Sequence, residues 1–168
     1  MSTQQQNTAD RIASKLKPGE APDGSTTAPM LSAVIPVYNE EGILVSSVLS
    51  LREKLAGLKL SFEILLAENG SSDRTVELCK ELCGKYPEVD YFSIGRPNYG
   101  AALKEGILRA RGKVVVCDEI DLGDIDFYER ALDRILNGDA DMVVGSKVLA
   151  GAEDTRPMVR HIATAAYN

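Results

Sequence analysis

The sequence has no tryptophan, a single histidine and only 5% aromatic residues, and its 19 basic residues are outnumbered by 25 acidic ones. The resulting net charge of −6 excludes a broad phosphate-binding surface, so no nucleic-acid partner is expected. Cysteine is scarce and odd in number: Cys79, Cys83 and Cys117, with no C-x-x-C pair. That excludes a disulfide framework, and with His161 remote in sequence it excludes the usual Cys/His zinc spacings. Cys79 and Cys83 stand four apart on an expected helix, as small buried apolar groups, and all three cysteines read as reduced structural thiols. No apolar run approaches the roughly 20 residues that cross a bilayer, and the polar N-terminus lacks an apolar signal core. The cytoplasm is the expected location. Two phosphate-binding signatures are also missing: no G-x-G-x-x-G follows the first strand, and no G-x-x-x-x-G-K-[ST] occurs anywhere. The second absence discounts a P-loop ATPase, although Val114 to Glu119 looks like the magnesium-holding strand of one.

What is present is an ordinary globular composition, 44% apolar and 26% charged over 168 residues. That length fits one domain on a prior of roughly 100–200 residues. Residues 1–29 are rich in Gln, Ser, Thr, Pro and Gly and read as a flexible N-terminal tail, with a short helix allowed over Asp10–Leu16. The domain is expected over 30–168. From Leu31, strand and helix patterns alternate. Leu31–Val37 is a short buried strand, with Pro36 at its end. Asn39-Glu40-Glu41 opens a helix by N-capping, and Leu44, Val48, Leu51 and Leu55 form its buried stripe. Strands follow at Phe62–Ala67, Tyr91–Ile94, Lys113–Cys117 and Asp141–Gly145. Helices are expected after Gly70, after Asn98 and over Phe127–Leu136, the last with Gly138 as its C-cap. The fold class is α/β: a mostly parallel sheet with helices on both faces.

The chain is organised around Lys113-Val-Val-Val-Cys-Asp-Glu-Ile-Asp-Leu-Gly-Asp124. A run of β-branched residues without polar alternation is a strand covered on both faces. It ends in Asp118, Glu119, Asp121 and Asp124, at the carboxyl end where open α/β sheets bind ligands. Carboxylates gathered there repel one another, and a divalent cation relieves the repulsion.

Four motifs in order carry a family resemblance. Ala33-Val-Ile-Pro-Val-Tyr-Asn-Glu-Glu41 resembles the V-I-P-x-Y-N-E opening of family-2 glycosyltransferases of the GT-A fold. Glu68-Asn-Gly-Ser-Ser-Asp-Arg-Thr75 is similar to their D-D-G-S-x-D-x-T loop. Asn98-Tyr-Gly100 with Gly106, Ala110 and Gly112 is similar to N-x-G…G…A-x-G, and Glu119-Ile-Asp-Leu-Gly-Asp124 falls where D-x-D-L-x-D is expected. The match runs over about Leu31 to Thr164. It is strongest toward the polyprenyl-phosphate sugar transferases, whose G-S-R and later Arg and Ser correspond to Gly145-Ser-Lys147, Arg160 and Thr164.

The resemblance implies a metal-dependent, inverting transfer of a sugar from a GDP- or UDP-sugar to an acceptor such as a polyprenyl phosphate. Glu119 and Asp121 are the implied ligands of Mg²⁺ or Mn²⁺ and the catalytic acids, with Asp118 as the neighbouring alternative and donor contact. Pro36, Tyr38, Glu40, Glu68 and Asn69 are the implied donor-binding residues. Lys147, Arg160 and Thr164 are implied to take the acceptor phosphate, which would hold the protein at a membrane surface. Many members add a catalytic Asp in an E-D pair; Glu153-Asp154 is such a pair, placed early, and a phosphate acceptor needs no base. Glu68-Asn69 replaces Asp-Asp, Glu119 replaces Asp, and Gly123 replaces a common Gln. The family's acceptor-binding and membrane-associated elements beyond Asn168 are expected to be lacking. These departures keep open a catalytically weak nucleotide-sugar-binding or regulatory module on the same fold. A homo-oligomer is compatible with either.

Overall fold

The computed structural model describes residues 28–145. Within them β1 (Leu31–Val37), β2 (Phe62–Glu68), β3 (Val89–Ser93) and β4 (Val114–Cys117) alternate with α1 (Leu44–Gly57), α2 (Thr75–Lys85), α3 (Tyr99–Arg109) and α4 (Ile125–Leu136). All but the last two residues of the expected tail lie outside the described residues, as do Lys147, Glu153, Asp154, Arg160 and Thr164.

Burial along the strands follows from their place in the sheet. The order is β3-β2-β1-β4, and every pairing is parallel. β1 is central and buried at every position, and β2 is buried at all but its first. β3, at the edge, alternates buried with exposed or half-buried residues. Successive side chains of a strand point to opposite faces. Leu31, Ala33, Ile35 and Val37 therefore meet the buried stripes of α1, α2 and α4, whereas Val34 joins Leu65, Ala67 and Phe92 under Ala102 of α3. α3 changes face because the chain steps outward from β1 to β3, then crosses back to β4 on the other side of β1. With right-handed crossovers that reversal puts the connecting helix on the opposite face. It also makes the gap between β1 and β4 the switch point of the sheet.

At the amino ends of the strands a buried carboxylate ties three elements together. Ser32 Oγ donates to Glu63 Oε1, and the Arg111 backbone N–H and Nε each donate to Glu63 at 2.7 Å. The Gly112 N–H donates to Ser32 Oγ at 2.8 Å. Gly112 lies so close to β1 that a Cβ there would sit 2.5 Å from Ser32 N and 2.8 Å from Leu31 C, both backbone atoms. Only glycine fits, which gives the last residue of the N-x-G…G…A-x-G motif a packing reason.

Three expectations need correction. Asp141–Gly145 is not a strand, and Met142 and Val144 are exposed. A β-prone run becomes a strand only when it pairs, and among the described residues β4 pairs with β1 alone. α1 starts at Leu44, with no side-chain cap, rather than at Asn39. Asn39 sits at φ 55° and is used differently, as described below. Pro36 does not end β1, which continues through Val37. The cap foreseen at Gly138 is present, with φ 76° beyond α4, and Asn98 also caps α3, its Oδ1 accepting from Ala101 N at 3.0 Å.

Candidate functional site

Loops leaving the carboxyl ends of the four strands build the site. Those after β1 and β2 are sewn together by reciprocal bonds. The Asn39 N–H donates to Ser71 Oγ at 3.0 Å, while Asn39 Oδ1 accepts from Ser72 N at 2.8 Å. The Glu40 N–H donates to Thr75 Oγ1 at 2.8 Å, and Glu41 N to Asp73 Oδ2 at 3.1 Å. Glu41 Oε2 in turn accepts from Arg74 N at 3.1 Å. The Asn-Glu-Glu signature therefore divides by direction. The Asn39 and Glu41 side chains fasten the two loops, while the Tyr38 side chain is exposed and Glu40 half-buried beside them.

The second signature turns inward. Glu68 is wholly buried, with Oε1 accepting from Ser71 N and Oε2 from the Ser93 hydroxyl. Asn69 is 5% exposed, and its Nδ2 donates to Val37 O at 3.2 Å. Pro36 is buried as well. All three are thus buried, and Glu68 and Asn69 hold the turn after β2 through their hydrogen bonds. Gly70 permits the turn to close: it adopts φ 85°, and a Cβ would lie 2.6 Å from the Arg96 backbone. Loops after β2 and β3 touch there, and Arg96 is exposed and without an ion-pair partner among the described residues.

The loop after β4 brings the acids. Glu119 and Asp121 are exposed and have no ion-pair partner among the described residues. Burial raises the Glu40 carboxyl above its ordinary value, and the charges of Asp121 and Asp73 raise it further. Glu40, after β1, and Asp121, after β4, thus lie close enough for their charges to interact. Tyr99, at the start of α3, is raised by burial and then by Glu119, Cys117 and Asp118, so its phenol lies on the same side as the acids. Asp118 is half-buried and hydrogen-bonded by Tyr128 Oη at 3.0 Å. A cleft of about 290 Å³ separates this loop from Ser47, Ser50 and Lys54 of α1, and Lys54 Nζ donates to Gly123 O at 2.9 Å.

The donor set fits a hard cation. Magnesium is commonly held by one or two carboxylates, with waters and substrate phosphates completing the sphere. Glu119 and Asp121 supply such a pair, and among the described residues no group of three or more His, Cys, Asp or Glu makes a closed cage. The structure brings Glu40 near Asp121 and Tyr99 near Glu119, leaves Tyr38 exposed on the loop after β1, and buries Pro36, Glu68 and Asn69. Two residues not marked for the site in the sequence stand there too. Tyr99 is inside a recognised motif, where its neighbours Asn98 and Gly100 draw attention to the helix start. Arg96 follows a glycine after β3, and a lone basic residue carries no signal until Gly70 is seen against it.

The thiols fall as their sequence positions allow. Cys79 is buried and pushed up to about 12, Cys83 to about 11, in both cases by burial first, and Cys117 is exposed. None forms a disulfide.

Residues 32–166 match the model of the family "Glycosyl transferase family 2". The chain is 30% identical over 142 residues to glycosyltransferase AglD of Haloferax volcanii, covering 82% of this chain and 23% of that protein. It is 30% identical over 124 residues to the dolichol-phosphate mannosyltransferase of Pyrococcus furiosus, covering 73% and 34% respectively. The chain therefore spans well under half the length of these relatives. Among solved structures it resembles the mannosyltransferase PcManGT of Pyrobaculum calidifontis in complex with GDP-Man and Mn²⁺, with TM-score 0.52 and 19% identity over 78% of this chain and 39% of that one. S. aureus TarS in complex with UDP-GlcNAc gives TM-score 0.51 and 17% identity over 71% and 36%. These likenesses show the GT-A fold. With four ordered motifs, the parallel sheet and a family match over most of its length, the chain belongs to glycosyltransferase family 2.

Proposed function

We propose that this chain binds a GDP- or UDP-sugar and a divalent cation and transfers the sugar, with inversion, to an acceptor of the polyprenyl-phosphate class. The observation that carries this reading is the exposed pair Glu119 and Asp121 at the switch point, opposite Glu40. Mg²⁺ or Mn²⁺ bound there neutralises charge that grows on a leaving diphosphate. Tyr38 and Glu40 line the base and ribose, on a floor made by Pro36, Glu68 and Asn69. Arg96 offers the donor an uncompensated positive charge, and Tyr99 closes the side next to Glu119. Lys147, Arg160 and Thr164 take the acceptor phosphate. A phosphate is already an anion at neutral pH, so no side chain has to remove a proton from it. What the chain must do is align acceptor and anomeric carbon, which by itself lowers a barrier substantially. Named activities of the relatives support the acceptor class: Pyrococcus furiosus dolichol-phosphate mannosyltransferase and Saccharomyces cerevisiae dolichyl-phosphate beta-glucosyltransferase. No described helix is long and apolar enough to cross a membrane, and a lipid acceptor calls for attachment at the surface.

The test is transfer of radiolabel from GDP-mannose and UDP-glucose to dolichyl phosphate in detergent, with Mn²⁺ present. Label in the lipid phase is the expected result. Donor binding with no transfer to any lipid phosphate would sink the enzymatic reading and leave a nucleotide-sugar-binding module.

A further inference from the structure

We infer that Asp118 and Tyr128 form a strut that sets the geometry of the Glu119–Gly123 loop and thereby its affinity for a divalent cation; this rests on the proposed metal site. Asp118 is the first residue past β4, and its N–H continues the sheet by donating to Val34 O at 3.1 Å. Its carboxylate then folds over the loop it begins. Oδ1 accepts from the Glu119 N–H at 2.8 Å, and the Gly123 N–H also faces this carboxylate. One side chain thus bonds the first of the five residues that carry Glu119 and Asp121 and lies near the last. Oδ2 accepts from Tyr128 Oη at 3.0 Å. Tyr128 is wholly buried among the core residues beneath α4, so the strut is anchored in the hydrophobic core. Lys54 restrains the far end through Gly123 O, but from an exposed position.

The sequence drew Asp118 as a donor contact or alternative ligand. Its bonds point it back into the protein instead, leaving Glu119 and Asp121 as the outward acids. A residue that orients metal ligands without touching the ion typically changes affinity by about 10- to 100-fold when removed. Asp118 and Tyr128 are therefore positioning residues.

The decisive variant is Tyr128→Phe, which keeps the buried ring and deletes only the hydroxyl. Titration of Mn²⁺ alone into the metal-free protein should show affinity weakened about tenfold, with no change in far-UV circular dichroism. Amide exchange at Glu119 and Gly123 should quicken in the same variant. Asp118→Asn, which exchanges one acceptor for a donor, should reproduce both effects if Tyr128→Phe proves poorly folded. Wild-type binding with unchanged affinity and exchange in the variant would overturn the strut alone. No Mn²⁺ binding by the wild type would overturn the metal site as well.

Discussion

Asp121→Ala is expected to lower sugar transfer by about 10³-fold and to remove its response to Mn²⁺. Asp121 carries one of two outward carboxylates at the switch point, and its charge already raises Glu40 across the cleft. Removing it leaves Glu119 as the one outward carboxylate of the pair, so the cation loses half of its protein charge. Lewis-acid neutralisation of a leaving group contributes several kcal/mol, and about 4 kcal/mol corresponds to three decades in rate. Glu105→Ala is the matched control: it breaks an exposed pair with Arg109 one turn along α3, worth a few tenths of a kcal/mol. Steady-state rates for both variants over a range of Mn²⁺ concentrations check the prediction. Equal loss in both, or an Asp121→Ala enzyme still activated by Mn²⁺, would contradict it.

Glu63→Ala is expected to destabilise the fold by about 3 kcal/mol, the range for removing one partner from a buried charged network. Most of that loss comes from stranded donors. Arg111 is 62% exposed and finds water, but the Ser32 hydroxyl and the Arg111 N–H sit against the sheet and lose their acceptor. The pH dependence has a definite sign. Burial alone would raise the Glu63 carboxyl, but hydrogen bonds from Ser32 and Arg111 overcome it and hold the group below its ordinary 4.5. A depressed folded pKa gives stability that is complete above 4.5 and is lost as pH falls through the lower folded value. Urea unfolding of wild type and Glu63→Gln should therefore differ most at neutral pH and converge as pH falls through the depressed folded value. A constant difference across that span would contradict the role given to the charge.

Much of this fold is legible in sequence because burial leaves a plain mark there. β1 and β2 are mostly apolar and buried since both faces are covered, and the stripe Leu44, Val48, Leu51, Leu55 is buried along α1. The proposed site is readable where a residue's type and its exposure agree, as at Glu119 and Asp121. It is obscure where direction decides. Asn39 resembles a helix cap, yet a left-handed backbone turns its side chain to Ser72. Glu68 resembles a ligand, yet Ser71 and Ser93 take both of its oxygens inside the protein. Tyr128 reads only as one apolar position of α4, because the value of its hydroxyl depends on Asp118 ten residues earlier. The run from Asp141 to Gly145 shows the reverse failure, a strand pattern with no paired neighbour.

The most direct measurement of the central claim is calorimetric titration with a panel of GDP- and UDP-sugars, with and without Mn²⁺. Binding that strengthens with Mn²⁺ for one base is the predicted result, and it would also name the donor. Binding to no nucleotide sugar under either condition would contradict the assignment of this cleft to a sugar donor.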